Sequence, residues 1–292
     1  MSGLSLKRTL DKGLQLRWDA VSTGAHNGYV DPASVTYKVV RQPDAKTVSE
    51  STTATVLYDN VESGELAKYW YEVTPSAYGK SGETLASNKV VVGPGKATPY
   101  SENFEKQEAF DYFTVLDANN DSKTWSYNEY SQTAEYAGDA TVKADDWLIL
   151  PPLKLNKSGY YKVTFNVRCN SQNKHLLAVA LGNLPEAENM TTSVMPATEF
   201  STMFETQKVE AKFLVPSDGD YYLGFHLLSD ALMHSFEIQD ISVEQYTTTD
   251  TPAAVADLAV KPAAKGELKS EVSFTLPSKT IGGAAVGTLT TA

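Results

Sequence analysis

The sequence predicts an all-β protein built from β-sandwich domains in tandem. Short alternating runs rich in Val, Thr, Tyr and Phe are separated by clusters of Gly, Asn, Asp, Ser and Pro along nearly the whole chain, as expected for strands and turns. The sequence has no convincing amphipathic helix. Because 292 residues exceed the size of one small sandwich, we expect two domains and part of a third.

The composition excludes several classes of protein. Acidic residues outnumber basic residues by 36 to 25, giving a net charge of −11, whereas a nucleic-acid-binding protein needs clustered positive charge. Every apolar run is far shorter than the roughly 18 residues that span a bilayer, so we expect no membrane span. The single cysteine, Cys169, excludes an intramolecular disulfide and a multi-cysteine zinc site, and we expect it to be buried and unreactive. Residues 1–5 lack the parts of a secretory signal, so we interpret the chain as a fragment of a larger exported protein.

The first domain is predicted over residues 1–93. Leu14, Leu16 and Trp18 alternate with polar residues, which places three apolar side chains on one face of a strand. An Asn27-Gly28 pair then predicts a tight turn. Further strand-like runs lie at residues 35–41, 69–74 and 89–92. Strands at this spacing predict a small antiparallel sandwich.

These residues resemble a fibronectin type III domain. The matching features are Leu16-Arg17-Trp18, Asn27-Gly28 ahead of a Thr-Tyr-x-Val strand, and Tyr69 at the position of the family's tyrosine corner, before Val73. The resemblance covers residues 5–93. It departs at the front, where the usual proline-led first strand is reduced to residues 4–8, so we expect an incompletely formed edge.

A second block, residues 100–246, follows a linker rich in Gly and Pro at residues 93–99. It also has the pattern of an all-β domain. Several of its runs are apolar enough for the core of a two-sheet sandwich: residues 147–150, 160–167, 176–181, 221–228 and 235–243. We expect a jelly-roll-like fold.

A partial fibronectin type III-like repeat is predicted over residues 252–292. Gly266-Glu267-Leu268, the strand pattern of residues 272–277 and Gly282-Gly283 echo the order of motifs near the start of the chain. Half a sandwich leaves strand edges and one core face without a partner, so we expect a poorly ordered or externally supported tail.

An acidic loop in the second block is the best candidate for chemistry. Asp117, Asn119 and Asp121 place oxygen-bearing side chains at alternate positions, and calcium prefers six to eight oxygen ligands. The run is not an EF-hand, because Ser122 and Asn128 stand where that motif needs Gly and Glu. On its own it is compatible with either a solvated Asx-rich turn or an ion site.

Four stretches resemble the cleaved-adhesin domains of gingipain-type surface proteins, which are relatives of MAM and concanavalin-like jelly rolls. They are residues 102–105, residues 117–121 followed by Thr124-Trp125, residues 145–151 and residues 240–243. The resemblance implies a calcium-stabilised binding module. Its implied calcium ligands are, for one ion, Asp117, Asn119, Asp121 and Asp145 or Asp146, and for another ion, Glu102 and Asp240. Residues 119–122 lack the family's glycine and one carboxylate, which should weaken calcium binding.

Enzyme signatures are missing from the sequence. The four histidines are scattered, without metal-ligand spacing or a nucleophile motif. Glu237 and Asp240 are three residues apart, so a strand would point them to opposite faces and not form a catalytic pair. Exposed aromatic rings stack on sugars. We interpret Trp125 as a core residue and Tyr127 and Tyr130, in a polar run, as candidate ligand-binding residues.

The leading hypothesis is a non-catalytic bacterial adhesin fragment, located at the cell surface or secreted. The fibronectin type III units would be spacers, and the jelly roll, stabilised by calcium, would bind a host or matrix protein or a glycan. The alternative is a carbohydrate-binding module of a larger polysaccharide-degrading enzyme. A hydrolase is a third interpretation, and it would require two carboxylates facing each other across a deep cleft.

Overall fold

The computed structural model confirms the all-β fold class. It describes residues 1–10, 13–157, 159–169, 174–202, 205–231, 234–246, 252–263, 269–280 and 286. The helical segments of those residues are one helix, α1 (Gln107–Phe110), and two 3-10 turns, Pro32–Ser34 and Ala187–Asn189. No helix in the described ranges is long and apolar enough to cross a membrane. The chain forms two compact units, Met1–Gln245 and Tyr246–Ala292.

The first sandwich lies at the start of the first unit. Its strands are β1 (Ser5–Thr9), β2 (Gly13–Arg17), β3 (Thr36–Gln42), β4 (Lys46–Thr52), β5 (Val56–Asp59), β6 (Ala67–Ala77), β7 (Lys80–Ser81), β8 (Leu85–Ala86) and β9 (Val90–Val92). One sheet has the order β1-β2-β5, and the other has the order β4-β3-β6-β7 with β8 and β9 also paired to β6. β1 pairs with β2 along its whole length, so the expectation of an incompletely formed first strand is wrong.

The alternation seen in the sequence explains the core between these sheets. Leu14, Leu16 and Trp18 are buried as predicted. Trp18 meets Tyr37 edge to face, with ring centroids 5.3 Å apart. Such a pair adds roughly 0.5–1.5 kcal/mol to the free energy gained from burial alone.

A polar cluster closes one side of this core. The Asp59 carboxylate accepts hydrogen bonds from the Tyr71 hydroxyl at 2.7 Å and from Arg41 Nη1 at 2.8 Å. Tyr71 is fully buried, and burial is the main reason why its pKa is raised. Tyr69, the residue matched to the tyrosine corner, packs at the edge of the core with the Arg41 guanidinium 5.6 Å from its ring centroid.

The second sandwich fills the rest of the first unit. Its strands are β10 (Tyr100–Glu102), β11 (Thr114–Asp117), β12 (Trp125–Asn128), β13 (Thr133–Tyr136), β14 (Asp146–Ile149), β15 (Leu153–Leu155), β16 (Tyr161–Cys169), β17 (His175–Gly182), β18 (Thr192–Phe200), β19 (Gln207–Phe213), β20 (Gly219–Leu227) and β21 (Phe236–Gln245). The front sheet has the order β12-β13-β21-β16-β19, with β10 also paired to β21. The back sheet has the order β11-β14-β20-β17-β18, with β15 also paired to β20. All these pairs are antiparallel, as a jelly roll requires.

The core of the second sandwich lies between the front and back sheets. Along β16 buried and partly exposed residues alternate at every position, because successive side chains point to opposite faces. Phe165 from the front sheet meets Phe225 from the back sheet edge to face at 4.9 Å. Cys169, at the end of β16, is fully buried, as the sequence predicts.

The segment between the two sandwiches, at Gly95 and Lys96, is hydrogen-bonded to the second sandwich. Lys96 forms a parallel bridge with Leu153, with Lys96 N donating to Pro152 O at 2.7 Å. Gly95 N donates to Asp220 Oδ2 at 3.2 Å. A Cβ at Gly95 would lie 2.5 Å from Asp220 Oδ1, so only glycine allows the backbone to approach this closely.

Side chains also join the two sandwiches. Lys68 Nζ lies 3.0 Å from Asp111 Oδ2 and 5.2 Å from the ring centroid of Tyr112. Arg8 Nη1 donates to the Tyr222 hydroxyl, and its guanidinium lies over that ring. These contacts and the bridged segment indicate that the first sandwich is held against the jelly roll. The boundary between the two domains stays a prediction.

The second unit contains one antiparallel hairpin, β22 (Ala256–Pro262) and β23 (Ser270–Thr275), among its described residues. Every residue of both strands is exposed. Val260 pairs with Val272, so one face of the hairpin is apolar. The repeat motifs Gly266-Glu267-Leu268 and Gly282-Gly283 lie outside the described residues.

Candidate functional site

The acidic loop begins where two strands of the back sheet end. In the pairing of β11 with β14, Asp117 lies directly opposite Asp146. Cross-strand neighbours of like charge repel each other, since their Cβ atoms are about 5 Å apart. The register therefore brings together two of the predicted ligands that are 29 positions apart in the sequence.

The loop's own backbone uses several of the predicted ligands. Asp117 accepts hydrogen bonds from Asp121 N at 3.1 Å and Ser122 N at 2.8 Å. Asp121 accepts from Lys123 N at 2.7 Å and from Asn119 Nδ2 at 2.9 Å. These are Asx-type turns, in which short carboxylates hold nearby N–H groups. Residues 117–123 therefore form the Asx-rich turn that was one of the two interpretations of this sequence.

Asp146 differs from the loop residues because it is completely buried. Its Oδ2 accepts a hydrogen bond from Asp145 N at 3.1 Å, whereas its Oδ1 has no partner in the described part of the chain. Burial raises the pKa of Asp146 to about 6, the Thr124 hydroxyl and the Asp145 N–H oppose the rise, and the charges of Asp117 and Asp121 add to it. Burial of a carboxylate oxygen without a hydrogen bond lowers the stability of the fold, so a bound ligand or a proton at this oxygen would be stabilising.

Two further buried polar atoms near this carboxylate lack hydrogen-bond partners in the same ranges: Thr124 Oγ1 and the Tyr136 hydroxyl. Burial raises the pKa of Tyr136, and the negative charges of Asp146 and the loop carboxylates raise it further. Thr124 lies beside Asp146 without hydrogen-bond geometry. Asp146, Thr124 and Tyr136 thus each have a buried oxygen without a hydrogen bond in the described residues, under the negative potential of the loop carboxylates.

The predicted ligand set does not converge as a whole. Among the described residues, no three Asp, Glu, His or Cys side chains come close enough to hold a metal ion. Asp145 is used elsewhere, since its Oδ1 lies 2.6 Å from His226 Nε2. The His226 ring stacks on Trp147 at 3.9 Å, and burial lowers its pKa, against the effect of Asp145. Of the two aspartates left open by the sequence, Asp146 faces the unpaired oxygens.

Glu102 and Asp240, the second predicted pair, lie on neighbouring strands. Glu102 is opposite Ile241, and Asp240 is the residue before it, at a bulge with a φ of 52°. Glu102 accepts a hydrogen bond from Phe104 N at 2.7 Å, and Asp240 accepts one from Asn166 Nδ2 at 2.8 Å. Each carboxylate therefore has a separate structural partner.

The aromatic candidates occupy different environments. Trp125 is buried and meets Tyr136 and Phe236 edge to face, so the core interpretation is confirmed. Tyr127 is half-buried, and its ring packs against Phe110 at 6.3 Å. Tyr130 is 92% exposed, in the turn that joins β12 to β13. Of the two predicted ligand-binding tyrosines, only Tyr130 presents its whole ring to solvent.

Tyr130 stands at the edge of a groove of about 440 Å³ on the outer face of the front sheet. The lining residues are Asn128, Tyr130, Ser131, Glu135, Arg168, Glu237 and Gln239. Three of them form a row across strands β13, β21 and β16, because Glu135 lies opposite Glu237 and Glu237 lies opposite Arg168. We call this set of lining residues the front groove.

The charged groups of the front groove are fixed by one another. Glu237 is only 4% exposed and receives Arg168 in a bidentate pair, with Nη2 to Oε1 at 3.0 Å and Nε to Oε2 at 3.1 Å. Asn128 Nδ2 donates to Glu135 Oε2 at 2.7 Å. The Asn128 Oδ1 accepts from the N–H groups of Tyr130 and Ser131, at 3.0 and 3.3 Å, and so shapes the turn. These bonds hold the groove in a defined geometry before any ligand arrives.

Sequence reasoning missed the front groove apart from Tyr130. Arg168 is one of four arginines in the chain, and its position in an alternating strand was a usable signal. The pairing of that strand with β21 was not visible, because strand order is set by long-range packing.

Comparisons with known proteins give similarities of fold. No protein-family model matches the sequence, and no curated protein matches it. Among solved structures, the K1 cleaved adhesin domain of Lys-gingipain from Porphyromonas gingivalis W83 is similar at 16% identity and a TM-score of 0.43, over 51% of this chain and 99% of that chain. The CBM22-1 xylan-binding domain from Paenibacillus barcinonensis Xyn10C is similar at 12% identity and a TM-score of 0.38, over 51% of this chain and 94% of that one.

A third similar structure is the C-terminal CBM6 of LamC from Zobellia galactanivorans, at 15% identity and a TM-score of 0.33, over 50% of this chain and 99% of that chain. The first of these is a cleaved adhesin domain and the second is a xylan-binding domain. At these identities a shared ligand does not follow from the similarity. The ligand has to be inferred from this chain's own side chains.

Proposed function

We propose that the chain is part of a non-catalytic bacterial adhesin, at the cell surface or secreted, whose jelly roll binds a glycan through the front groove. The observation that carries the proposal is the 92% exposed ring of Tyr130 beside polar groups that are already fixed. Sugar rings offer apolar faces that stack on aromatic rings and hydroxyls that bond to planar polar side chains. The groove combines both kinds of group.

A binding role, as opposed to a catalytic one, is supported by how the carboxylates of this face are used. Glycoside hydrolysis needs two carboxyl groups across the scissile bond, one of them free to exchange a proton. Glu237 is bound bidentately by Arg168, and Asp240 is exposed at a bulge and bound by Asn166. Glu135, the third carboxylate of this face, is bound by Asn128 through Oε2, so each of the three has a structural partner.

Calcium is the ion that we propose for the acidic loop, where it would stabilise the fold. Asp146 Oδ1 and Thr124 Oγ1 are buried oxygens without partners in the described residues, and Asp117 lies opposite Asp146. Asp146, Asp117 and Thr124 would hold the ion, with Asn119 and Asp121 completing the loop around it. Since two carboxylates are fewer than most tight sites use, we expect weak binding, in the millimolar range typical of extracellular modules. The bound ion would supply positive charge that neutralises these carboxylates. Glu102 and Asp240 remain predicted ligands of a second ion.

Two contexts for the glycan-binding domain stay open. In an adhesin the partner is a glycan or a protein of the host or matrix, and in the alternative the domain is a carbohydrate-binding module of a polysaccharide-degrading enzyme. The front groove supports the glycan partner in both contexts.

The test is affinity electrophoresis in polysaccharide gels together with a glycan array. Tyr130→Ala should abolish retardation by the glycan that binds the wild-type chain, because the stacking ring is lost. Tyr78→Ala is the matched control, since Tyr78 is 74% exposed but belongs to the first sandwich. Glycan binding that survives Tyr130→Ala unchanged would remove the groove from the proposal, and binding of a host protein without any glycan would favour the protein partner.

A further inference from the structure

The charges of the front groove bear on which glycans it can accept. The row across the sheet contains two carboxylates, Glu135 and Glu237, and one guanidinium, Arg168, so the groove has a formal charge of −1. The whole chain has a net charge of −11, which gives an approaching polyanion no compensating attraction. The local and the overall charge therefore both oppose anionic polymers.

The hydrogen bonds within the groove show which polar atoms remain available. Arg168 uses Nε and Nη2 on Glu237, and in the described part of the chain its Nη1 has no partner. Glu135 uses Oε2 on Asn128, and its Oε1 has no hydrogen bond within the described ranges. The Gln239 amide also lines the groove without a hydrogen bond in those residues. Arg168 Nη1 can thus donate a hydrogen bond to a ligand, Glu135 Oε1 can accept one, and the Gln239 amide can do both.

The Nε–Nη2 edge of a guanidinium is a fork that matches a carboxylate or sulfate with two parallel hydrogen bonds. In the groove this edge is occupied by Glu237, a residue that is 4% exposed. A uronate or sulfate would have to displace a buried carboxylate to use it, and the carboxylate would then be left without its counter-charge. Burial of such an unpaired charge is strongly unfavourable.

A sugar hydroxyl both donates and accepts, so neighbouring hydroxyls can donate to Glu135 Oε1 and accept from Arg168 Nη1 without carrying charge. We infer that the front groove selects neutral glycans with neighbouring free hydroxyls, held by Glu135 and Arg168 and stacked on Tyr130, and that it rejects uronate and sulfated glycans. This inference rests on the proposed function. Glu237 is a positioning residue, because it acts on the ligand only through Arg168.

The experiment is a panel of soluble polysaccharides, comprising a mixed-linkage glucan, an arabinoxylan, a galactomannan, alginate, polygalacturonate and dextran sulfate, run by affinity electrophoresis at 0.02 and 0.15 M salt. The wild-type chain should bind at least one neutral polymer, with little dependence on salt, and none of the anionic ones. Glu135→Gln should weaken neutral binding at least tenfold, since a hydroxyl loses its charged acceptor.

Glu237→Gln gives a readout that a merely structural role would not move. It removes a negative charge and leaves one acceptor oxygen facing the Nε–Nη2 edge of Arg168 in place of two, so a uronate can compete for that edge and binding of polyuronates should appear while neutral binding falls. Glu210→Gln is the matched control, because Glu210 lies on the same sheet beside Lys162 and outside the groove. Circular dichroism shows whether Glu237→Gln folds. If it does not, Glu135→Gln should still weaken the binding of neutral glycans, since the Glu135 carboxylate is only partly buried and its loss should not prevent folding.

The outcomes distinguish a failure of the neutral-glycan inference from a failure of the proposed function. Wild-type binding to alginate or dextran sulfate, weakened by salt, would overturn the neutral-glycan inference and leave glycan binding intact. Neutral binding insensitive to both Glu135→Gln and Glu237→Gln would overturn the assignment of the groove residues. No retardation by any polysaccharide, together with a blank glycan array, would overturn the proposed function itself.

Discussion

Asp146→Asn should stabilise the calcium-free protein at neutral pH. The wild-type carboxylate is fully buried with one unpaired oxygen, and its pKa is raised from the ordinary 3.8 to about 6. At 1.36 kcal/mol per pKa unit, this shift corresponds to about 3 kcal/mol of lost stability at pH 7. Asparagine has the shape of the neutral acid, so the substitution should recover up to about 3 kcal/mol, or roughly 6–12 °C in Tm.

The sign of the pH dependence follows from the raised pKa. Between pH 6 and pH 4 the folded state binds more protons at Asp146 than the unfolded state does, so its unfavourable contribution is relieved on acidification. His175 acts in the opposite direction, because burial lowers its pKa to about 4 and protonation of the unfolded state destabilises the fold below pH 6.5. The two effects are similar in size. We therefore expect a nearly flat wild-type profile and an Asp146→Asn profile that falls with acidification.

The assay is thermal unfolding in EGTA at half-unit steps from pH 4 to pH 7, with and without 5 mM calcium. The two Tm curves should converge near pH 4 and separate towards pH 7, and calcium should raise the Tm of the wild type but not of Asp146→Asn. Asp145→Asn is the control, since that carboxylate is half-exposed and paired with His226. A lower Tm for Asp146→Asn in EGTA at pH 7 would refute the claim that this carboxylate is uncompensated.

Three other predictions follow from single contacts. His175→Gln should make the stability rise between pH 6.5 and pH 4, because the buried imidazole no longer offsets the effect of Asp146, as seen by urea unfolding at each pH. Asp59→Ala should destabilise the first sandwich by roughly 1–3 kcal/mol, because the buried Arg41 guanidinium loses one of its two carboxylate partners and keeps Asp44, whereas Tyr71→Phe should cost about 1 kcal/mol. Gly95→Ala should free the first sandwich from the jelly roll, since the new Cβ would clash with Asp220; the radius of gyration from X-ray scattering should rise, and an unchanged radius would contradict the docked arrangement.

The local sequence pattern predicted more of the fold than of the front groove. Alternation at Leu14, Leu16 and Trp18 was enough to place the first core, and the burial of Trp125 and Cys169 was predicted from the usual preference of these residue types for the interior. The front groove depends on the register of three strands that are separated by up to about 100 positions, and periodicity carries no information on which strands become neighbours.

The choice between Asp145 and Asp146 illustrates the same limit on a smaller scale. The two are adjacent in sequence and have the same chemistry, so composition treats them alike. The strand begins at Asp146, which sends that side chain inward, while Asp145 lies just outside the strand and reaches His226. Only the starting residue of β14 decides which carboxylate is buried, and strand boundaries are the least reliable part of a sequence-based assignment.

The acidic loop and the front groove lie at opposite ends of one strand, which predicts how strongly calcium and glycan binding are coupled. Trp125, at the start of β12, donates from its indole N–H to the Asp146 carbonyl at 3.3 Å, and the turn carrying Tyr130 follows the other end. At 3.3 Å per residue the strand ends are about 10 Å apart.

Asp117 and Asp146 would neutralise the two charges of the ion, and the groove is open to solvent at a distance above the Debye length of about 8 Å, so little of the ion's charge should act at the groove. The strand itself is held by its pairing with β13 whether or not an ion is bound. Calcium should therefore raise the Tm while changing glycan affinity less than about threefold, because an effect below roughly 0.7 kcal/mol is what a screened charge and a small stiffening can supply. Titration of the bound glycan in EGTA and in 5 mM calcium measures this directly. A tenfold gain with calcium would mean that the ion orders the groove, and the two sites would then have to be treated as one.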